Sequence, residues 1–485
     1  MHRLLLWAQR RAHAVPVPLR RLGRLVLGRV GGGETESSGP LEDWSTPLLP
    51  GRGTGDLESL PPVPDAGAGP DLAPPTVGRP ASAGEAPLRV VVAIDVLDVG
   101  GMDEFVAFLG RRLPRHGVQT VVAYASTTMP GYQGQSGRLV RALERDGVAT
   151  VALTAESCRE WLRAHRPDVI SAHGAPDWLL DVAAELGVPW VETLHGMHHF
   201  LHPDTWEPER RRSHRIQAQI AVSELVRRQY LARNPNFPAE RIVTVPNGVD
   251  EERLRWVDRS QARAALGLRD EFVFLSLARY GLQKNTFALV TAFAQVAAVH
   301  PAAHLLVAGR ADDQRYYEQV RAHAERLTCA SRIHLRGHCA NTSALLAAAD
   351  AFVLDSFFEG WPLASMEALA AGLPVVMSDV GGAREQLGDG GRGHLVDNPA
   401  GDPEAIDWQL ISDLRFRSQG NQDQLVSAMS ALVADRARWA ADRQRLRDEA
   451  RSAFSAELCL SRHATVLRSV VQGKPVPTFL HHARR

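Results

Sequence analysis

The sequence has few cysteines and no long apolar run, and each scarcity excludes a class of protein. No C-x-x-C pair occurs among its 485 residues, so neither a zinc site nor a disulfide framework is indicated. We therefore expect a reduced, cytoplasmic setting. No stretch approaches the ~18 apolar residues that a membrane span needs, and the apolar residues 4–8 are too few for a signal-peptide core. The four cysteines are scattered, at Cys158, Cys329, Cys339 and Cys459.

The formal net charge is zero, because 55 basic residues balance 55 acidic ones. The whole chain thus has no electrostatic pull toward nucleic acid, and we expect no nucleic-acid partner. Charge of one sign is concentrated mainly in the first 33 residues, which contain no acid. One interpretation is an interfacial helix that contacts anionic lipid on the inner face of the membrane, and the other is a solvated, disordered leader. The basic residues concerned are Arg3, Arg10, Arg11, Arg20, Arg21, Arg24 and Arg29.

Residues 31–87 are rich in Gly, Pro, Ser, Asp and Glu and show almost no periodic apolar pattern. Such a composition buries too little surface to offset the entropy of ordering, so we predict a disordered linker. From residue 88 onward, continuous apolar runs alternate with helical patterns, which is typical of a parallel, doubly wound sheet. Strands of this first series are predicted at 89–94, 120–124, 150–153, 168–172, 190–194, 219–222 and 242–245.

The turn signal Pro246-Asn247-Gly248 separates this series from a second one. Two α/β domains in tandem place a cleft between the carboxyl ends of their sheets. The charged stretch 436–468 predicts one long terminal helix. Strands of the second series are predicted at 272–277, 304–307, 333–335, 351–354 and 374–377. The predicted segments are a basic leader and disordered linker (1–87), an N-terminal Rossmann-like acceptor domain (88–248), a C-terminal Rossmann-like donor domain (249–435) and a C-terminal helix that packs back toward the N-terminal domain (436–485).

Residues 357–376 contain two acids, one on each side of a predicted helix start. Pro362 fits the first helical position, and Gly372 fits the residue just past the helix end, where φ is often positive. Glu359 then lies in the loop facing the helix N-terminus, and Glu367 lies on the helix itself. Free N–H groups at that terminus suit a diphosphate, and the acids suit sugar or ribose hydroxyls.

Further motifs follow one another in a fixed order. They are Gly100-Gly101, Thr193-Leu194-His195-Gly196, Ala221-Val222-Ser223, Val245-Pro246-Asn247-Gly248-Val249-Asp250, Arg279 with Lys284-Asn285, Ala308-Gly309, Glu359 with Glu367 (E-x7-E), and Gly381-Gly382 with Glu385. The ordered set resembles family 4 of the retaining glycosyltransferases, which have the GT-B fold, over about residues 88–470. Met102 and Asp103 depart from the usual alanine and glutamate, and Asn285 replaces a frequent glycine.

This resemblance implies a nucleoside-diphosphate sugar donor, such as a UDP- or GDP-sugar, and no other cofactor. It assigns Arg279 and Lys284 to the diphosphate, Glu367 to the ribose and Glu359 to the donor sugar hydroxyls. His195 is expected beside the donor sugar, with a purely structural role as the alternative. The remaining donor-binding positions implied are Gly100, Gly101, Gly360, Pro362 and Leu363. The acceptor is expected to be a glycan, a lipid-linked molecule or a small molecule.

The charge of the leaving diphosphate has to be stabilised by something fixed and positive. No convincing Asp-x-Asp loop is present, since Asp95 and Asp98 have a different spacing, so we expect Arg279 and Lys284 to act without a metal ion. The alternative is that this cation pair is a surface pair bonded to nearby acids. A metal site at His195 with His198, His199 and His202 is a weaker alternative, because no acid or cysteine completes a familiar ligand set.

The same architecture also serves other functions, because fold alone does not fix activity. A sugar-nucleotide epimerase and a non-catalytic sugar-nucleotide binding protein are the alternatives to transfer. A glycosidase is disfavoured, because its two carboxyl groups have to lie about 5–9.5 Å apart and the helix between Glu359 and Glu367 separates them further. A phosphorylase would need a cofactor lysine, for which no convincing position is found.

Overall fold

A computed structural model describes nearly all of the chain from residue 87 onward and short pieces before it. The described residues are 44, 46–49, 52–53, 57–62, 87–97, 100–125, 137–197, 202–251 and 254–479. The predictions made for the arginine-rich leader, for Asp98 and for His198 and His199 lie outside them. Among the helices that the structure describes, none combines the length and the apolar composition needed to cross a membrane.

The first sheet has seven strands, which are β1 Leu88–Ile94, β2 Val118–Ala125, β3 Ala149–Leu153, β4 Val169–His173, β5 Trp190–Leu194, β6 Ala218–Ala221 and β7 Ile242–Thr244. All pairs are parallel, in the order β3-β2-β1-β4-β5-β6-β7. Burial of both faces accounts for the uninterrupted apolar run of β1. Ile94 is in register with His173, so the residues that follow β1 and β4 meet at the carboxyl edge of the sheet.

The second sheet has six strands, which are β8 Phe272–Leu277, β9 Ala303–Ala308, β10 Ile333–Arg336, β11 Ala351–Leu354, β12 Val375–Ser378 and β13 Gly393–Val396. These pairs are also parallel, in the order β10-β9-β8-β11-β12-β13. The prediction of two doubly wound α/β domains is thereby confirmed. Strand β13 was not predicted, because it follows a glycine-rich stretch that is typical of a loop.

Helices cover the faces of both sheets. Several begin at a residue whose side chain accepts a hydrogen bond from the first turn, such as Ser223 from Val226 N and Asp313 from Tyr316 N. The helices are α1 Gly101–Arg112, α2 Arg138–Arg145, α3 Ala155–His165, α4 Asp177–Glu185, α5 Trp206–Ser213, α6 Glu224–Arg233, α7 Arg259–Ala265, α8 Thr286–Val299, α9 Gln314–Glu325, α10 Thr342–Ala348, α11 Leu363–Ala370, α12 Ala383–Leu387, α13 Trp408–Leu414, α14 Gln422–Ala434, α15 Arg436–Ala441, α16 Arg443–Ala453 and α17 Ala456–Val471.

The prediction of one long helix over 436–468 is wrong, because α15, α16 and α17 are separate helices. Ser455 interrupts the run, since its side chain accepts a hydrogen bond from Leu458 N and so starts α17. Helix α16 packs on α11 of the second domain, whereas α17 packs on the first sheet and shares an apolar cluster with Phe105. The chain therefore returns to the first domain between α16 and α17.

The two passages of the chain between the domains run side by side. Val249 N donates a hydrogen bond to Phe454 O at 2.9 Å. A Cβ atom on Gly248 would stand 2.6 Å from the Cα atom of Ala456, so a side chain has no room there. The two passages of the chain are therefore in direct contact at this crossing.

Part of the predicted linker is packed on the second domain, so the prediction of disorder is wrong for it. We call the described residues between 44 and 62 the N-terminal arm. Trp44 Nε1 donates to His338 O at 3.1 Å, and Glu58 Oε1 accepts from Ala340 N at 2.8 Å. Isolated large residues at irregular spacing give no periodic signal, which is why the sequence did not predict this contact. The buried apolar side chains of the arm are Trp44, Leu48 and Leu57.

Candidate active site

The two domains touch where the loop after β5 meets the loop after β11. A Cβ atom on Gly360 would stand 2.0 Å from the carbonyl oxygen of His195, so this approach requires glycine. On its other side the Gly360 carbonyl accepts a hydrogen bond from Gly382 N at 2.8 Å. The contact brings the carboxyl ends of the two sheets together and places predicted site residues of both domains next to each other.

Glu359 and Lys284 form an ion pair in this region. Lys284 Nζ lies 2.5 Å from Glu359 Oε1, and the same oxygen accepts from Ser356 Oγ at 2.7 Å. Only 15% of the lysine side chain and 8% of the glutamate side chain are exposed, so water and salt screen the pair little. Both residues were predicted to belong to the donor site, but their direct contact was not predicted.

A buried polar network fixes the turn that carries Lys284. The next residue, Asn285, has φ +52°, a left-handed conformation that glycine adopts freely and asparagine tolerates. Its Nδ2 donates to Asp355 Oδ2 at 2.8 Å, and Asn421 Nδ2 donates to the other oxygen at 2.8 Å. Burial raises the pKa of Asp355 to about 7, although both amide donors oppose the shift. The asparagine that departs from the family pattern therefore keeps the backbone shape and adds a buried contact.

Arg279 points to a different partner. Its guanidinium pairs with Asp312, which also accepts from Arg310 Nε at 2.9 Å. The side chain is 45% exposed, and within the described residues no hydrogen bond or ion pair joins it to Lys284 or Glu359. The alternative of a surface cation bonded to a nearby acid thus describes the arrangement of Arg279. It does not describe Lys284, because Lys284 is bonded to an acid but is mostly buried.

His195 is held by a second histidine beneath it. His195 Nε2 lies 2.8 Å from His173 Nδ1, and His173 Nε2 lies 3.0 Å from Ser171 Oγ. The Phe105 ring packs edge-on against the His195 ring at 5.4 Å between centroids. Burial, then the proximity of His195 and His463, holds the pKa of His173 well below its ordinary value. His173 is therefore neutral and carries one proton for its two hydrogen bonds.

His173 and Ser171 were missed by the sequence analysis, although a signal was present. The strand was predicted over 168–172, one residue short of its observed end in β4. Residues two apart on a strand share a face, so Ser171 and His173 point the same way. A serine and a histidine on one face at the carboxyl end of a strand is a pattern typical of a polar site.

The first turns of α1 and α11 lie opposite each other at the contact between the domains. Gly101 is the first residue of α1 and follows Gly100, as predicted from the glycine pair. A Cβ atom on Gly101 would stand 3.7 Å from Leu363 Cδ1, so the N-termini of the two helices are close neighbours. Free N–H groups of both helices therefore open toward the same space.

Helix α11 begins one residue later than predicted. Pro362 precedes the helix, with φ −66° and ψ 114°, because its ψ is extended and not helical. Gly372 has φ +81°, so the prediction of a left-handed residue past the helix end is confirmed. Glu367 lies on α11, as predicted, and is only 8% exposed.

A further contact between the domains involves Glu385, one of the sequence landmarks. Its Oε1 accepts a hydrogen bond at 2.8 Å from the backbone N–H of Glu224, the first residue of α6. A carboxylate at a helix N-terminus interacts favourably with the helix dipole. Gln229 on the same helix donates to Pro403 O at 2.7 Å. The landmark therefore joins the domains, a role that the sequence could not indicate.

The metal alternative finds no ligand set in the described part of the chain. There, no three His, Cys, Asp or Glu side chains come close enough together to hold an ion. His202 is described, while His198 and His199 fall outside the description.

Two parallel α/β domains that meet at their carboxyl edges are the architecture of the GT-B glycosyltransferases. A solved structure with this fold is that of the Anabaena protein HepE in complex with UDP and glucose. This chain is similar to it with a TM-score of 0.64 at 19% identity, over 79% of this chain and 100% of that chain. The likeness shows the fold.

Sequence comparison gives the family. The model of "Glycosyltransferase Family 4" matches residues 99–253, and that of "Glycosyl transferases group 1" matches residues 258–415. The D-inositol 3-phosphate glycosyltransferase of Segniliparus rotundus is 30% identical over 67% of this chain and 79% of its own length. The phosphatidyl-myo-inositol mannosyltransferase of Mycobacterium leprae is 30% identical over 65% and 84%. The chain belongs to glycosyltransferase family 4, and the resemblance predicted from its motifs is confirmed.

Proposed function

We propose that this protein transfers a sugar, with retention at the anomeric carbon, from a nucleoside-diphosphate sugar to an acceptor hydroxyl, without a metal ion. The observation that carries the proposal is the Lys284–Glu359 ion pair, which lies beside the contact of Gly360 with His195. This supports a donor site in which Lys284, Glu359 and His195 act on the same ligand between the two domains.

Lys284 and Glu359 would exchange partners when the donor binds. Negative charge builds up on the leaving diphosphate, and the Lys284 ammonium and the N-terminus of α11 stabilise it there. Glu359, still held by Ser356, then accepts hydrogen bonds from hydroxyls of the donor sugar. Arg279 would contribute a second cation if its guanidinium exchanged Asp312 for a phosphate of the donor.

Retention follows if the acceptor attacks from the face that the diphosphate leaves. A phosphate oxygen then takes the acceptor proton, so no nucleophile of the protein is required. His195 would contact the donor sugar in the orientation that its hydrogen bond with His173 imposes. Closure of the domains about the crossing at Gly248 and Val249 would exclude water and so favour transfer over hydrolysis.

The names of the relatives guide the choice of acceptor. One relative is named for inositol 3-phosphate and another for phosphatidyl-myo-inositol, so a polyol that carries a phosphate is the first acceptor to test. Glycans and lipid-linked sugars follow. For the arginine-rich leader, contact with anionic membrane and a solvated, disordered leader are the two interpretations, and liposome flotation with and without residues 1–30 distinguishes them.

The deciding experiment screens UDP- and GDP-sugars by thermal shift and then follows transfer by NMR of the product anomeric proton. We expect a product of retained configuration in the presence of EDTA. An inverted product, or activity lost in EDTA and restored by a divalent cation, would contradict the proposal. An epimer formed without acceptor would indicate the epimerase, and binding without turnover would indicate a non-catalytic protein.

A further inference from the structure

A cavity that is open to solvent lies at the far end of α11 from the donor site. Ala371, the residue that follows α11, forms part of its wall, while the N-terminus of the same helix faces the donor site. Eight helical residues separate the two places by about 12 Å. The other walls come from the linker around Trp256 and from α10 and α16.

The lining of this cavity is strongly positive. Arg255, Arg259, Arg443 and Arg447 line it, and none of the described lining residues is acidic. Asp350, which lies outside the lining, is shared by two arginines, since it pairs with Arg259 at 2.7 Å and with Arg263 at 3.2 Å. One carboxylate is therefore shared between Arg259 and Arg263.

Arg443 shows most clearly how much positive charge is gathered at this cavity. Its guanidinium donates to the carbonyl of Ala349, and among the described residues it has no other hydrogen bond and no ion pair. Burial, followed by repulsion from Arg259, lowers the pKa of Arg443 to about 9. A guanidinium so placed gains from any anion that enters the cavity, because an opposite charge offsets both its desolvation and the repulsion.

Capping of α10 accounts for only part of this cluster. Arg259 Nη1 donates to the last carbonyls of that helix, with distances of 2.8 Å to Ala347 O and 2.6 Å to Ala349 O, which is a structural role. Arg447 instead lies 4.5 Å above the Trp256 ring, and Arg255 is exposed at the rim. Arg447 Nε also donates to Ala371 O at 3.3 Å, just past the end of α11, and both arginines add positive charge to the lining.

We propose that this cavity binds a phosphate-type oxyanion, either inorganic phosphate or the phosphate group of a small ester. Guanidinium groups present paired N–H donors that match oxyanions, and a cavity lined by several of them on three segments is suited to one tetrahedral anion. The site is separate from the donor site. It also joins the interdomain linker to α16, close to the Val249–Phe454 crossing.

Thermal unfolding of the full-length protein in sodium phosphate, against sodium chloride of equal ionic strength, tests the proposal. We expect phosphate to raise the Tm by roughly 2 °C at saturation. The Lys284→Gln variant should respond like the unchanged protein, because it alters only the donor site. The Arg447→Gln variant should lose the response, with phosphate affinity at least about tenfold weaker by calorimetry.

Arg445→Gln is the matched control, since Arg445 lies on the same helix, pairs with Asp442 and Glu449 and does not line the cavity. If Arg447→Gln does not fold, the exposed Arg255→Gln variant replaces it. Equal responses of all variants, or a response lost only in Lys284→Gln, would overturn the proposal. A parallel titration with glycerol phosphate separates the sources: binding of both ligands indicates a site that accepts phosphate esters, and binding of inorganic phosphate alone indicates a site for the bare ion.

Discussion

Gly360 packs its backbone directly against the carbonyl of His195, at a distance that excludes any side chain. The two residues belong to different domains, and they adjoin the Lys284–Glu359 pair on one side and the His173–His195 pair on the other. Their contact therefore sets how closely the groups of the two domains approach the same ligand.

Gly360→Ala should lower transfer by about 100-fold while leaving the fold intact. The added methyl group would stand 2.0 Å from His195 O and force the domains apart, and small misplacements of reacting groups cost rate steeply. Steady-state transfer and thermal unfolding measure the two effects. Gly420→Ala is the control, since nothing lies within 4 Å of its Cβ position. Equal activities of the two variants would show that the contact does not matter for catalysis.

Lys284→Ala and Glu359→Gln should each lower kcat by at least about 100-fold, because each removes a charged group proposed to act on the leaving diphosphate or the donor sugar. Lys474→Ala is the control: the chain has only two lysines, and Lys474 is exposed and remote in sequence. Transfer assays with the best donor of the screen decide the matter. Full activity of either site variant would remove these residues from the mechanism.

His173→Gln and His173→Asn should differ, because each amide reproduces one of the two ring nitrogens. An asparagine amide reaches about as far as Nδ1 and can still bond His195, whereas a glutamine amide reaches about as far as Nε2 and can bond only Ser171. We expect roughly tenfold lower kcat for His173→Gln and much of the activity for His173→Asn. The kcat–pH profile should also shift only in His173→Gln. Equal losses in both variants would indicate a role in packing alone.

Asp355 should make the second domain less stable as the pH rises from about 4 to about 7. Its pKa is raised to about 7 in the folded protein from 3.8, so the folded state keeps a proton that the unfolded state has released. The contribution of Asp355 to the free energy of unfolding is thus largest below pH 4, falls between pH 4 and pH 7 by at most about 4 kcal/mol, and levels off above pH 7. Urea unfolding at pH 5 and pH 8 measures the slope. Asp355→Asn should flatten it, and an unchanged slope would assign the effect to other groups.

Local patterns in the sequence predicted most elements of the fold well. The bounds of β5, β8 and β11 agree with prediction, because the apolar pattern of a buried strand lies in consecutive residues. Contacts across the chain were harder to predict. Lys284 and Glu359 lie 75 residues apart, and only the packing of β8 beside β11 brings their loops together. The partner of Arg279 depends on the same kind of long-range placement, so its pairing with Asp312 could not be foreseen.

The N-terminal arm has a practical consequence for anyone who shortens this protein. A version that starts at β1 would contain both regions that the family models match, yet it would remove Trp44, Leu48 and Leu57 from the apolar surface that they cover. Newly bared hydrophobic surface promotes self-association. Poor solubility of such a shortened protein would then reflect the loss of this cover and would say nothing about the integrity of the two domains.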